Sequence, residues 1–488
     1  MVRDLRDHCQ TWAIASRLNV RPDGVEMPYS SRTGSRLRTA IRLRGRPREG
    51  SGQSVRDGVS ESPNSTECNA VEVPGTQGAD RAHLVAMSGR DPREGQRASS
   101  PLELLLDLTF VVAVGIAASQ FAEMLAQGHL REAMVAFVLA MSAISIAWIG
   151  FSWFASAFDT DDWLYRLITM VQMAGVVLFA LGLPVMFDSI EEGRRLDLRV
   201  MIVGYVVMRG ALTLQWWRAS RTPKFHDVAM ATIYWTGAIQ ICWLAVAFVD
   251  FGLSNTATFI AFGVLAAVEL LLPALTGSVG RRVPWHPHHI AERYGLFTII
   301  VLGESVVGTV ASSSDLLGGG SAVHWSADVI AIVVAGIGLT FGMWWVYCSA
   351  PFADALTRRR GRAYLFGYGH IPLFITVAAA GGGLHLAGLV LEDHSYIGPV
   401  AVVLAVAIPV GAYLLAVYAL YSILLASTDL FHVLLLVATM TVLAAAVVLA
   451  VAGVSVAACL LVIMLAPFIT VVGYEMVGRR HQQEVLRQ

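Results

Sequence analysis

The dominant pattern in this chain is a series of long apolar segments separated by short polar ones, beginning near residue 100. A helix needs about 20 consecutive apolar residues to cross a hydrocarbon core about 30 Å thick. Twelve segments reach that length, so the pattern predicts an all-α polytopic membrane protein with about twelve transmembrane helices. The predicted spans are 102–122, 131–157, 163–187, 198–218, 228–250, 256–276, 291–311, 325–349, 363–391, 398–424, 431–451 and 454–476.

The composition agrees with a membrane protein. Hydrophobic residues make up 56% of the 488 residues and charged residues only 15%, which is too apolar for a soluble protein of this size. Five cysteines lie far apart without CxxC spacing, which indicates small core residues rather than a disulfide frame or a metal site. The sequence has no P-loop, GxSxG, GxGxxG or HExxH motif in a suitable context, so it favours a protein that is not an enzyme and predicts no cofactor.

The first 98 residues differ from the rest of the chain. They hold sixteen arginines and twelve acidic residues without a sustained apolar period, which is typical of a disordered, arginine-rich extension. This local basic excess gives no case for nucleic-acid binding, since the whole chain has a net charge of −1. A translation start at Met87 is an alternative, in which residues 1–86 would not be made. At the other end, residues 479–488 are predicted to form a short cytoplasmic tail.

The basic residues between the predicted spans are unevenly distributed. With the N-terminus inside, the cytoplasmic segments from residue 90 onward hold sixteen arginines and lysines, and the outer loops hold four. Basic loops tend to stay in the cytoplasm, so this asymmetry predicts that both termini are cytoplasmic. The expected location is the cytoplasmic membrane of a bacterium, a source also suggested by the heavy use of arginine, with Lys224 the only lysine.

The two halves of the predicted bundle resemble each other. Each half begins with an acid-headed helix, at Glu103 and at Glu292, and the next helix in each half ends in tryptophans. An even number of spans separates the two acid-headed helices, so the halves would have the same orientation. The sequence therefore predicts two parallel six-helix repeats, over residues 99–285 and 286–478.

Several charged residues lie inside the predicted spans, where they are costly and often mark functional sites. Glu103 and Asp107 are four residues apart, so both carboxyls lie on one face of the first helix and could form a cation or proton site. Glu304 is expected near the centre of the bilayer, on the seventh span. Glu269 and Arg209 are also deep, and they could pair with each other or with these acids. The structural alternative is a set of buried pairs that only assembles the helices.

The segment that begins the second half carries further candidate groups. Glu292 and Arg293 are predicted near the cytoplasmic surface, where they would gate access or fix the helix end. His289 lies three residues before Glu292, and with two neighbouring histidines it invites a metal site. No third ligand on that helix completes a known spacing, so a solvated loop is favoured and no metal is predicted. His370, on the ninth span, could relay protons or be a buried structural histidine.

Two ordered motifs carry a resemblance to a known family. The first is Glu103-Leu-Leu-Leu-Asp-Leu-Thr-Phe-Val111, and the second is His289-Ile-Ala-Glu-Arg-Tyr-Gly-Leu-Phe-Thr-Ile-Ile-Val-Leu-Gly-Glu-Ser305. Over about residues 97–478 the chain resembles the bacterial low temperature requirement A family, with leucines in place of two aromatic residues in the first motif. The resemblance implies an integral membrane protein of a family that is named for a growth phenotype in the cold.

These observations lead to a transport hypothesis. The protein is predicted to move a small solute, a cation or protons across the cytoplasmic membrane. Asp107, Glu304 and Glu103 would be binding groups, with Glu269 and Arg209 as their partners. One alternative is a membrane-embedded enzyme acting on a lipid or an isoprenoid, and another is a structural or sensory protein without transport activity. Deep charges favour permeation, whereas an interfacial cluster beside a lateral opening favours catalysis.

Overall fold

The structure is a computed structural model that describes residues 84–91, 97–249, 251–252, 254–277, 283–317, 326–391, 396–425 and 430–478. All of these residues belong to one unit, Pro74–Gln488. Most of the predicted arginine-rich extension, and the whole tail predicted at 479–488, lie outside the described residues.

The described residues form helices and no β-strand. Twelve of these helices are long and apolar enough to cross a membrane, which confirms the predicted number of spans. A helix satisfies its own backbone hydrogen bonds, so it is the structure expected of an apolar segment in lipid. In chain order the helices are α1 (Pro101–Ala126), α2 (Leu130–Phe158), α3 (Trp163–Glu191), α4 (Arg199–Ser220), α5 (His226–Phe248), α6 (Asn255–Thr276), α7 (Pro287–Leu317), α8 (Ala327–Ser349), α9 (Phe352–Arg358), α10 (Ala363–Leu391), α11 (Pro399–Leu425), α12 (Leu430–Val451) and α13 (Val456–Gly473).

Three local features of the helices and their connections differ from the prediction or refine it. Helix α7 begins at Pro287 rather than at residue 291, as expected where a proline can occupy the first turn of a helix. The short helix α9 is not among the predicted elements, because its seven residues are too few to show a spanning pattern. Helices α12 and α13 are joined by a tight turn in which Gly453 has a φ of +85°, a conformation that favours glycine.

Serine and aspartate side chains cap the starts of five membrane-spanning helices. In each cap the side-chain oxygen accepts a hydrogen bond from a backbone N–H of the first turn, which has no partner within the helix. The cap of α1 is reciprocal: Ser100 accepts from the Glu103 N–H, and the Glu103 carboxylate accepts from the Ser100 N–H at 2.7 Å. The other four caps are Asp162, Ser254, Ser326 and Ser455.

The cap of α3 is also part of a salt bridge. Asp162 accepts a hydrogen bond from the Tyr165 N–H at 2.8 Å and pairs with Arg218 of α4 at 2.5 Å. Burial acts to raise the pKa of the Asp162 carboxyl, but these donors outweigh it and hold the pKa below its usual value. The Asp162 carboxylate therefore stabilises the α3–α4 junction at neutral pH.

Corresponding pairs of helices contact each other in the first six and in the last six spans. Helix α1 packs against α2 and α3, and α7, which begins the second set, packs against α8 and α10. In both sets the third to sixth spans contact one another in order, and the second span contacts the sixth. Helices α5, α6 and α12 have the smallest buried share, so their apolar side chains lie at the periphery of the bundle.

Three consecutive glycines of α10 bring the centre of the bundle together. A Cβ on Gly381 would lie 2.7 Å from the backbone of Glu304 in α7. A Cβ on Gly382 would lie 3.0 Å from a carbonyl oxygen of α1, and one on Gly383 would collide with a carbonyl oxygen of α11. Each glycine therefore lets a different helix approach α10 closely, as small residues commonly do between helices in membranes.

Candidate functional site

The starts of α1 and α7 lie side by side and bring two acidic side chains against two basic ones. Glu103 of α1 lies 3.3 Å from Nε2 of His289 in α7. Asp107, one turn further along α1, pairs with Arg293 of α7 at 2.8 Å. All four side chains are 0% exposed, so both pairs are formed in the protein interior. We name Glu103, Asp107, His289 and Arg293 the α1–α7 cluster.

Helix α2 supplies neutral hydrogen-bonding groups to this cluster. The Trp148 Nε1 donates to the Asp107 Oδ1 at 2.7 Å, and the Arg293 Nη2 donates to the Ser152 Oγ at 3.2 Å. The Arg293 guanidinium also lies 5.6 Å from the centroid of the Trp148 ring. Desolvation of a buried ion pair is costly unless further hydrogen bonds satisfy its members, and α2 provides some of these bonds. The cluster therefore joins three helices, α1, α2 and α7.

The hydrogen bonding of the α1–α7 cluster is incomplete. Buried atoms without a hydrogen-bond partner among the described residues are the Glu103 Oε1, the Asp107 Oδ2, the His289 Nδ1, and the Nε and Nη1 of Arg293. Most buried polar atoms in proteins have partners, and exceptions often mark a site with a catalytic role or a bound ion. The cluster thus combines an intact ion pair with unused donors and acceptors.

The structure shows the surroundings of Glu292 and Arg293, which the sequence predicts near the cytoplasmic surface as a gate or a fixed helix end. Glu292 is half-buried, and its carboxylate accepts a hydrogen bond from the Ser99 N–H at 3.4 Å, beside the start of α1. Arg293 is fully buried in its pair with Asp107. The reason is that α7 begins at Pro287, so Arg293 lies in its second turn and faces the interior.

The histidines of this region make structural contacts. The His286 Nδ1 accepts a hydrogen bond from the His289 N–H at 3.3 Å and so caps the start of α7. His370 of α10 lies 2.7 Å from the Phe366 carbonyl oxygen and 2.9 Å from the Tyr347 hydroxyl, which fits a buried structural histidine. Within the described parts of the chain, no group of three or more His, Cys, Asp or Glu side chains is placed to hold a metal ion.

Glu304 stands apart from the other buried acids. It lies near the middle of α7, about 16 Å along the helix axis from Arg293. Its two carboxyl oxygens lie 3.1 and 3.2 Å from the point where a Cβ on Gly115 of α1 would be. Glu304 is 9% exposed, and no described residue donates a hydrogen bond to its carboxyl or forms an ion pair with it. Among the described residues, this carboxyl is therefore a buried acid without a compensating group.

A second buried ion pair joins α4 to α6. The Arg209 Nη2 lies 2.5 Å from the Glu269 Oε1. The Tyr205 hydroxyl donates to the Glu269 Oε2 at 2.7 Å, and side chains of α5 contribute two longer bonds, from Gln240 at 3.5 Å and from Trp243 at 3.4 Å. Four donors therefore surround the Glu269 carboxylate, and they hold it in one position.

The sequence identified the charged members of both ion pairs but assigned some of their partners wrongly. It allowed Arg209 to pair with Glu269 or with the other acids, and the structure forms the pair with Glu269. Arg209 and Glu269 are therefore not partners of Asp107 and Glu304, as the transport hypothesis assumed. The neutral donors, such as Trp148, were missed. A buried tryptophan or tyrosine usually needs an acceptor for its polar atom, which is the signal that could have suggested them.

The fold and these buried charges define a polytopic helical membrane protein. The chain belongs to the bacterial low temperature requirement A protein family, whose model matches residues 98–467 and so confirms the resemblance found in the two motifs. An uncharacterized protein of Rhizobium meliloti (strain 1021) is 26% identical over 312 residues, which cover 60% of this chain and 70% of that protein. No solved structure matches the chain.

Proposed function

We propose that this protein moves protons, a small cation or a small solute coupled to them across the bacterial cytoplasmic membrane. The single observation that carries the proposal is the uncompensated Glu304 carboxyl in the middle of a membrane-spanning helix. An acid at the centre of a membrane-spanning helix costs about 2.5–3.5 kcal/mol on insertion scales, and such residues usually mark an ion or proton path. The stable states of this carboxyl are the protonated acid and a complex with a cation, which are the two states that a carrier alternates between.

The surroundings of Glu304 support this role. Asp107 and Glu269 are already bound to an arginine, and Glu103 is paired with His289. The Glu304 carboxyl lies between helices that meet through glycines, so changes in helix packing alter its surroundings directly. A group whose environment changes with helix packing can take up a proton or cation on one side of the membrane and release it on the other.

The α1–α7 cluster takes a second role in this proposal. Both helices begin on the same side of the bundle, and the loop charges favour that side as cytoplasmic. The cluster is fully buried between that end and Glu304, so it closes the cytoplasmic end of the path. Opening requires the Asp107–Arg293 pair to separate, and the unused donors of Arg293 could then bind water or a solute.

We also infer that the path is built from two parallel six-helix repeats. The repeats would place α1 and α7 in corresponding positions, and the matching neighbours of the helices in each set support that arrangement. Many secondary transporters are built from such repeats and bind their substrate where the repeats meet. Glu304 of α7 lies against Gly115 of α1, at the contact between the first helices of the two sets.

The geometry favours permeation over the enzymatic alternative. An enzyme acting on a lipid or an isoprenoid needs its acids and histidines to reach the substrate. Glu103 and His289 do lie together toward one end of the bundle, but both are 0% exposed in this structure. Glu304 is deep in the bundle, where an ion path and not an interfacial reaction is expected.

The test is ion flux into proteoliposomes that contain the purified protein. Proton, sodium and potassium fluxes are compared between the wild type, Glu304→Gln and the matched control Glu123→Gln, which changes an exposed glutamate of α1. We expect Glu304→Gln to abolish the flux at equal protein insertion and Glu123→Gln to keep it. A Glu304→Gln variant with wild-type flux would refute the role of this carboxyl. Absence of all three fluxes in the wild type would refute ion conduction.

A further inference from the structure

A cavity of about 540 Å³ lies between α2, α4, α5, α6 and the region around the start of α10. Its volume is within the range typical of small-molecule binding sites. The wall is mainly apolar and aromatic, with threonine hydroxyls from α5 and α6. The aromatic side chains are Trp153, Phe154, Trp216, Trp285, Tyr364 and Tyr368. The charged residues that line the cavity are two arginines, Arg209 and Arg360, and one acid, Glu269.

The buried arginine of this cavity has unused hydrogen-bond donors. Arg209 contacts Glu269 only through its Nη2. The Glu269 carboxylate also accepts hydrogen bonds from the neutral side chains of Tyr205 and Trp243. The Nε of Arg209 is buried without a partner, and no described residue accepts a hydrogen bond from its Nη1. A Cβ on Gly150 would lie 2.6 Å from that Nη1, so the glycine leaves room for the guanidinium. Arg209 lines the cavity and is 7% exposed, so its unused Nη1 is the donor available to this largely apolar space.

The approach to the cavity is basic. A neighbouring cavity of about 630 Å³ shares Val283, Trp285, Arg360 and Gly361 with the first one. The charged residues that line this second cavity are three basic ones, Arg90, Lys224 and Arg360, and one acid, Asp91. Clefts lined by one sign of charge attract ligands of the opposite sign and raise their local concentration. The charges along this route thus favour an anion, which would pass Arg360 before it reaches Arg209.

We propose that the 540 Å³ cavity binds an organic anion, a carboxylate or a phosphate attached to an apolar or aromatic body. The anionic group would accept a hydrogen bond from the unused Nη1 of Arg209 and pair with its charge, because guanidinium groups bind carboxylate and phosphate with good geometry. The body would contact the tryptophans and tyrosines of the wall. The ligand could be a soluble anion or the head group of an anionic lipid, and the two sources share this chemistry. Binding here does not depend on whether Glu304 carries protons.

The test is equilibrium binding of phenylbutyrate to the protein in phosphatidylcholine nanodiscs, followed by tryptophan fluorescence and by radiolabelled ligand. Phenylbutanol and phenylbutylammonium have the same body with a neutral or a positive group. We expect phenylbutyrate to bind at least about tenfold more tightly than either, since its charge meets an unsatisfied guanidinium. Nanodiscs that also contain phosphatidylglycerol distinguish the two sources of the anion. If phosphatidylglycerol competes with phenylbutyrate, the natural ligand is a lipid head group. If it does not compete, the ligand is a soluble anion.

Three variants locate the binding. Thr236→Phe fills the cavity from α5 and should abolish binding, whereas Ala238→Phe, at an exposed position on the same helix, should leave it unchanged. The double variant Arg209→Gln with Glu269→Gln removes both charges together, so neither is left buried alone, and it should erase the preference for the anion. Helix content and elution volume confirm folding. Equal binding of the three probes, binding that survives Thr236→Phe, or no binding of either phenylbutyrate or phosphatidylglycerol would overturn the proposal.

Discussion

The ion pair between Asp107 and Arg293 allows a quantitative test of the buried site. Asp107→Asn keeps an oxygen that can accept from Trp148 and from the Arg293 Nη2, which lies 2.8 Å away in the wild type. The substitution therefore removes the charge and little else. Arg293→Gln removes the opposite charge and leaves a carboxyl beside Trp148. The two variants together replace the ion pair by two neutral amides.

The expected magnitudes follow from the complete burial of both side chains. Removing one member of a buried pair costs about 3–5 kcal/mol of unfolding free energy, because the other charge loses its compensation. Asp107→Asn should be the costlier change, since an arginine cannot lose its proton in a protein, whereas the carboxyl left by Arg293→Gln can gain one. The double variant should cost clearly less than either single change, because no charge is left unpaired.

The measurement is a double-mutant cycle on the free energy of unfolding in mixed micelles with increasing dodecyl sulfate, followed by helix content. The matched control is Asp161→Asn, which breaks an exposed pair with Arg166 that has bonds of 2.8 and 2.7 Å, and it should cost less than about 1 kcal/mol. A loss of unfolding free energy in Asp107→Asn no larger than in this control would refute the role of the buried pair. The same conclusion would follow if the double variant lost as much unfolding free energy as the two single variants added together.

Three further predictions test the helix contacts and caps. Gly381→Ala places a methyl group 2.7 Å from the backbone of Glu304 and should lower stability by about 1–3 kcal/mol in thermal unfolding, whereas Gly263→Ala, with no atom within 4 Å, should be tolerated. Ser100→Ala should cost about 1 kcal/mol by removing the α1 cap, and Ser100→Thr should recover most of it. Because the folded pKa of Asp162 is lowered, its contribution to stability is present above the unfolded pKa of about 3.9 and is lost as the pH falls through the folded value. The stability difference between the wild type and Asp162→Asn should therefore shrink below about pH 4, and a constant difference would contradict the assignment.

The twelve spans could be predicted because a helix must supply about 20 apolar residues to cross the membrane, and this requirement leaves a strong pattern in the sequence. The partners of the buried charges could not be predicted in this way. Asp107 and Arg293 are 186 residues apart, and an apolar pattern does not fix which face of one helix meets which face of another. The complete burial of Arg293 could not be predicted either, because α7 begins about one turn before the apolar segment that marks its span.

The place of Glu304 near the middle of its helix could be predicted from its distance along the chain, but its lack of a partner among the described residues could not. The sequence offered Arg209 as a candidate, and only the structure shows that Glu269 already holds it. The cavity beside Arg209 was also beyond prediction, because its wall combines side chains from helices that are distant in sequence. The aromatic residues of this wall give no periodic signal, since each helix contributes only a few of them.

The glycines at Gly381, Gly382 and Gly383 have a consequence for the rate at which the centre of the bundle can change. At these three positions α10 has no side chain, so rotation about its own side-chain bonds cannot loosen the contacts with α1, α7 and α11. Any rearrangement beside Glu304 moves whole helices and involves members of both six-helix sets. Such motions take microseconds to milliseconds, whereas exposed side chains rotate in picoseconds to nanoseconds. The centre of this bundle is therefore a slow element whose two sets of helices must move together.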